Sequence, residues 1–183
     1  MPLSRVIGEP LPEIAGKYSG SLHIIGGGRN VWEDIENNKP TGDVMAINDV
    51  GMYWPKALVH WYSNHAPHLP IWAQARTFRK GMKDNPVQHL HSCYEGVKWR
   101  WPFGGTGTSS LNAIYVALGL GYAPIVLCGI PLDDSGNFFD PHWVRSNFRR
   151  EAHYDVWEFA RDQVFDGKVK SMSGMSRQML GAP

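Results

Sequence analysis

A single α/β domain, with a mostly parallel sheet flanked by helices, is the fold class this sequence predicts, and three observations predict it. Short apolar runs bounded by glycine or polar residues recur at Leu22–Ile25, Val44–Ile47, Ala57–Trp61 and Ile125–Cys128, the pattern of strands buried on both faces. Segments with helical spacing of apolar residues lie between several of these runs. Two helix starts are preceded by clusters of small residues, Gly26-Gly27-Gly28 and Gly104 to Ser110. Strands alternating with helices make βαβ units with right-handed crossovers in a mostly parallel sheet.

Composition narrows the partners. With 183 residues, 43% of them hydrophobic, the chain has material for one core and fits a one-domain expectation of about 100–200 residues. Lys and Arg number 18 against 17 acidic residues, so no bulk charge draws it to nucleic acid or to an anionic membrane. No apolar stretch reaches the roughly 18 residues of a membrane span, and the N-terminus lacks a secretory pattern, which sets a cytoplasmic expectation. Cys93 and Cys128 stand far apart without a CxxC pair, so both are expected to be free thiols.

In chain order, residues 1–20 read as an irregular N-terminal arm rich in proline and glycine, with the α/β domain spanning 21–183. Leu22–Ile25 is the first strand. Val31–Ile35 follows as a short helix with Asn30 at its N-cap position and acidic residues in its first turns. Val44–Ile47 is a second strand running into Asn48-Asp49, and Ala57–Trp61 a third running into Ser63-Asn64-His65. A helix is expected from Leu69 to about Met82, then an ambiguous, aromatic-rich stretch from Asn85 to Phe103 with a candidate strand near Val87. Leu111, Ile114, Tyr115 and Leu118 mark a helix capped by Thr108 or Ser109 and stopped at Gly119–Gly121. Ile125–Cys128 is a buried strand. Val144–Phe165 reads as one long helix whose stripe holds Phe148, Ala152, Val156 and Phe159, with His153, Trp157, Ala160 and Val164 alongside. Val169–Ser171 is expected as an edge strand.

The polar residues at the strand ends carry the candidate chemistry. A glycine cluster between strand and helix lets backbone N–H groups approach a phosphate; a tight βα turn without ligand gives the same glycines. Candidate nucleotide-binding residues are Gly26, Gly27, Gly28, Arg29 and Asn30 at the first turn and Asn48 and Asp49 at the second strand. Thr106, Thr108, Ser109 and Ser110 at the later helix start, and Gly129 after the buried strand, complete the set. Thr and Ser there serve equally as ordinary caps. His153, on a helix rather than a loop, is the candidate general base, with His142 competing. Histidine sets such as His60, His65 and His68, or His89 and His91 with Cys93, match no recognised zinc spacing. Asp133 and Asp134, with Asp140, are the candidate Mg²⁺ ligands; a solvated acidic loop gives the same aspartates.

These residues resemble the bacterial sialyltransferase-like group (glycosyltransferase family 42-type) and the related 6-hydroxymethylpterin diphosphokinase-like proteins. Ile24 to Asn30 is similar to their strand and GxGPS turn, with Arg29-Asn30 in place of Pro-Ser. Ala46-Ile47-Asn48-Asp49 looks like their second strand ending in a nucleotide-facing Asn. Thr108-Ser109-Ser110 through Ile130 is similar to their Thr-Ser helix and the strand after it. The resemblance implies that 21–183 is a Rossmann-like nucleotide-binding domain, with a nucleotide or nucleotide sugar held across the glycine turn and the Thr-Ser helix and His153 in the place of the family's base.

Three functions follow. The first is a nucleotide-dependent transferase moving a sugar from a nucleotide-sugar donor to a small-molecule or glycan hydroxyl, with no cofactor required. The second is a pyrophosphokinase acting on a hydroxymethyl heterocycle, in which Mg²⁺ is essential to neutralise phosphate charge. The third is a non-catalytic module that binds a nucleotide or nucleotide-derived signal.

Overall fold

Alternate residues of each strand settle into two cores on opposite faces of one sheet. The computed structural model describes residues 4–79, 81–83, 85–103, 107–145 and 151–183. Its strands are β1 (Leu22–Ile25), β2 (Asp43–Ile47), β3 (Leu58–Tyr62), β4 (Val87–Ser92), β5 (Trp99–Arg100), β6 (Ile125–Cys128) and β7 (Val169–Ser171). Neighbours pair in parallel in the order β5-β4-β3-β2-β1-β6-β7. Leu22 and Ile24 join Met45, Ile47 and Leu127 in one core; Ile25 joins Val44, Ala46, Val126 and Cys128 in the other. This is the period of two that a strand imposes, and burial on both faces explains why these runs carry almost no polar residues.

Helices cover both faces. Helices α2 (Val31–Asn37) and α3 (His68–Thr77) pack on the second core, and α4 (Ser109–Leu120) and α5 (Glu151–Ala160) on the first. Helix α4 is bounded as its sequence demands: the Thr108 hydroxyl accepts from Leu111 N–H at 3.1 Å, and Gly121 ends it at φ 109°. Within the N-terminal lead-in, α1 (Ser4–Ile7) forms one turn of helix, and Ile7 and Ile14 are buried in the first core. No described helix is long and apolar enough to cross a membrane.

The chain leaves β1 outward through β2 to β5, then returns along α4 to place β6 and β7 on the other side of β1. Connections therefore depart in opposite directions from β1 and β6. In an open parallel sheet such a reversal leaves a crevice at the carboxyl ends of the two strands, where ligands bind.

Several expectations change. The helix expected from Leu69 to about Met82 ends at Thr77, because the chain turns at Phe78 and Arg79; Phe78 is 82% exposed, while Met82 folds back and is buried. The long helix expected from Val144 is not continuous from there. Val144 belongs to a turn closed by its N–H on the Pro141 carbonyl, and Phe148 lies outside the described residues. Phe159, expected in the core stripe, is 46% exposed; Trp157 and Ala160 make the core contact instead. The helix passes into a π-helical turn at Arg161–Phe165, which carries Phe165 into the core. The ambiguous stretch holds β4 and β5, with Trp101 and Phe103 in the core. The C-terminal helix α6 (Gly174–Leu180) was not expected from the sequence.

Candidate functional site

Glycines at the end of β1 allow two chain segments to touch. Gly26 N–H donates to the Cys128 carbonyl and Gly28 N–H to the Gly129 carbonyl, both at 2.8 Å, and Arg29 N–H donates to the Gly136 carbonyl at 3.1 Å. A Cβ at position 26 would stand 2.6 Å from Ile130 Cγ1, and one at position 28 would stand 2.6 Å from Pro131 Cδ. Gly26 and Gly28 are thus required by close packing against the exit of β6. Three N–H groups of this turn bond the protein's own carbonyls rather than facing a ligand. Gly129, at φ +65°, is required for the same reason: its Cβ would meet Val31 Cβ at 2.5 Å.

The packed turn forms one wall of a cavity of about 270 Å³ at the β1/β6 switch, which also receives Asn48, Thr108, Ser109, Ser110, Gly129 and Asp133. Five separate sequence segments converge there. Asn48 and Leu132 both adopt φ 54°, and both line it; such conformations are costly for non-glycine residues and cluster at binding sites. Asn48 is held by Ser63 Oγ donating to its Oδ1 at 2.7 Å and by Trp61 Nε1 donating to its carbonyl at 2.5 Å. Ser109 and Ser110 open the 12-residue α4, whose first-turn N–H groups lack intrahelical partners and favour an anion. Asp133 is the one charged side chain among the described residues lining this cavity. Thr106 lies outside the described residues.

A second cavity, of about 780 Å³, shares Thr108 and Ser109 with the first and is lined by His153, Asn64, His65, His68 and Tyr94. His153 therefore opens onto the space beside the Thr-Ser helix start. Asn64, a polar strand end not among the candidate residues named from the sequence, also lines this cavity. Its Oδ1 accepts from Tyr62 Oη at 2.7 Å and from Asn112 Nδ2 at 3.0 Å, leaving its amide N–H groups for the cavity. Burial, with smaller contributions from Cys93, pushes the Tyr62 phenol far up, so it stays a donor and fixes the amide's orientation.

Other candidates are placed elsewhere. The Arg29 guanidinium donates to the carbonyls of Pro141 and His142 at 2.9 Å and of Val144 at 3.2 Å, fastening that loop. Asn30 occupies the N-cap position of α2 without a capping bond, its amide donating instead to Asp34. Asp49 stands beside Gly27 and Asn137, its carboxyl raised by burial and by Asp140. His142 is exposed on the loop that Arg29 holds. Asp133 Oδ1 accepts from Ser135 N–H at 2.9 Å, and Asp134 does not line either cavity. Among the described residues no group of three or more His, Cys, Asp or Glu is set to hold a metal ion. Cys93 and Cys128 are buried free thiols, Cys128 pushed up to about 12 chiefly by burial.

Across β3 and β4 runs a largely buried polar chain. Trp101 Nε1 lies 3.2 Å from His91 Nδ1, His91 Nε2 lies 2.9 Å from His60 Nδ1, and His60 Nε2 lies 3.0 Å from Tyr122 Oη, which donates to Asp43 at 2.5 Å. Indole only donates and carboxylate only accepts, so the direction of every bond is fixed. Both histidines are neutral with the proton on Nε2.

The fold is that of the sialyltransferase-like glycosyltransferases. The crystal structure of the sialyltransferase CstII from Campylobacter jejuni with cytidine-5'-monophosphate superposes at TM-score 0.62 and 14% identity, covering 88% of this chain and 84% of that one. CstII with CMP-3FNeuAc gives 0.62 at 13% identity over 88% and 85%, and CST-II with a trisaccharide acceptor and CMP gives 0.57 at 15% over the same shares. No protein-family model and no curated protein sequence matches the chain. At these identities the likeness defines the fold and falls on the sialyltransferase side of the resemblance, not the pterin kinase side.

Proposed function

We propose that this protein transfers a sugar from a nucleotide-activated donor to a hydroxyl acceptor. The observation that carries the reading is the meeting of the two cavities at Thr108 and Ser109. A donor seated with its phosphate at the start of α4 has its nucleoside toward Asn48 and the glycine turn and its glycosyl carbon toward His153. In the reaction the bond between the glycosyl carbon and the phosphate oxygen breaks as the acceptor oxygen bonds that carbon. His153 takes the acceptor's proton. The α4 N–H groups and the Ser109 and Ser110 hydroxyls stabilise the departing phosphate, and the Asn64 amide donates to an acidic group on the sugar.

The cavity chemistry favours a donor of low charge. Neutral hydroxyls and amides line the phosphate end, with no lysine or arginine among the described lining residues. That set suits a nucleoside monophosphate, the kind of ligand bound in the CMP complexes of the structural neighbours. In this reading no metal takes part. A pyrophosphokinase would need Mg²⁺ held by Asp133 and Asp134, yet only Asp133 reaches the cavity and its carboxylate already accepts from Ser135.

The test compares wild type with His153→Ala, measuring CMP release from a CMP-sugar in the presence of oligosaccharide acceptors, alongside CMP binding by calorimetry. Loss of turnover by about 100-fold or more with binding retained supports the assignment. Wild-type binding without turnover, unchanged in the variant, supports a non-catalytic binding module instead.

A further inference from the structure

The four residues after β6 are each pinned by another element. Gly129 N–H donates to Asp34 of α2 at 2.8 Å, the Ile130 carbonyl accepts from Ser176 Oγ of α6 at 2.5 Å, and the Pro131 carbonyl accepts from Ser176 N–H at 3.3 Å. The Leu132 carbonyl accepts from Tyr154 Oη of α5 at 3.2 Å. Leu132 also holds the φ 54° conformation and lines the smaller cavity. Asp34 and Ser176 fix the turn from helices that carry no candidate catalytic group. Tyr154 differs, because it adjoins His153 in the first turns of α5.

We propose that Tyr154 is a positioning residue: its hydroxyl ties the His153-bearing helix to the strained Leu132 carbonyl and so sets where His153 stands relative to the phosphate end of the donor. The inference rests on the transferase reading for its catalytic consequence, but not for its structural one. His153 and Tyr154 lie in the first turns of α5, where Tyr154 packs against the first core together with Val156, Trp157 and Ala160. A shift of about 1 Å at a catalytic group costs on the order of 100-fold in rate, so a hydrogen bond that ties these turns to the Leu132 carbonyl at the cavity wall is enough to change it.

The experiment uses the full chain with Tyr154→Phe, His153→Ala, the double variant, and Ser176→Ala as a control pinning the same turn from α6. Turnover of a CMP-sugar and the imidazole carbon-bound proton signals of the histidines are both measured. The expected result for Tyr154→Phe is a ten-fold or greater fall in kcat, with donor KM within about two-fold. In the His153→Ala background the same change has no further effect, as for residues that act as one unit. The His153 signal, identified by its loss in His153→Ala, moves in Tyr154→Phe and stays in place in Ser176→Ala.

Equal multiplicative losses in the two backgrounds overturn the proposal, and so does an unmoved His153 signal. If wild type has no turnover while the signal moves, the transferase reading fails and the positional role of Tyr154 stands.

Discussion

His60 and His91 show how neighbours decide what a histidine does. Each ring sits in a directed chain between the donor Trp101 and the acceptor Asp43, and an added proton would set donor against donor. Burial, then the nearby His89, lowers His60 from 6.5 to about 3; burial, then His60 and His89, takes His91 well below 6.5. The unfolded chain therefore binds protons between these values that the folded chain refuses. The associated stability is complete above pH 6.5 and falls as pH drops below it. Urea denaturation at about pH 7.5 and about pH 5.5 should differ by about 2–3 kcal/mol, the linkage of two such groups. A pH-independent midpoint would show that the pair takes up protons without cost. The glycine turn makes a second residue-scale prediction. Gly28→Ala meets Pro131 Cδ and the Gly129 carbonyl and should destabilise by about 1–3 kcal/mol. Gly27→Ala, whose Cβ first meets Asn137 Oδ1 at 3.5 Å, should change the urea midpoint little.

Among the elements, α4 does most to join fold and site. Its sequence states its bounds, Thr108 before and Gly121 after, and its buried residues hold the first core together. Thr108→Val removes the cap and should cost about 1 kcal/mol by urea denaturation. The same change should weaken nucleotide binding measured by calorimetry, while Thr108→Ser restores both; unchanged affinity in the valine variant would remove Thr108 from the site. The strands and α4 were legible because local pattern and tertiary burial agree. Helix α5 was not: Trp157 and Ala160, one position along from the expected stripe, face inward and leave Phe159 46% exposed, and the π-helical turn at Arg161–Phe165 then brings Phe165 into the core. Helix α6, at seven residues, is too short for a clear period. Asn64 was visible as a polar strand end, yet only the bonds from Tyr62 and Asn112 show which way its amide faces.

For the whole molecule, the strand order places the turn after β1, the exit of β6 and the start of α4 around one crevice. The sequence shows each of these as a separate junction; their meeting depends on β6 crossing to the far side of β1, which no local pattern encodes. Arg29 illustrates the same limit. A cation after a glycine turn suggests a phosphate ligand, but long-range folding delivers the 141–144 loop to it. The central claim is that the crevice binds a nucleoside monophosphate through neutral donors and without metal. Calorimetric titration of CMP into the protein in EDTA, repeated with Mg²⁺ and with ATP in place of CMP, tests it most directly. The account predicts saturable CMP binding of equal affinity with and without metal. Absence of CMP binding at millimolar concentration, or binding of ATP alone and only with Mg²⁺, would contradict it.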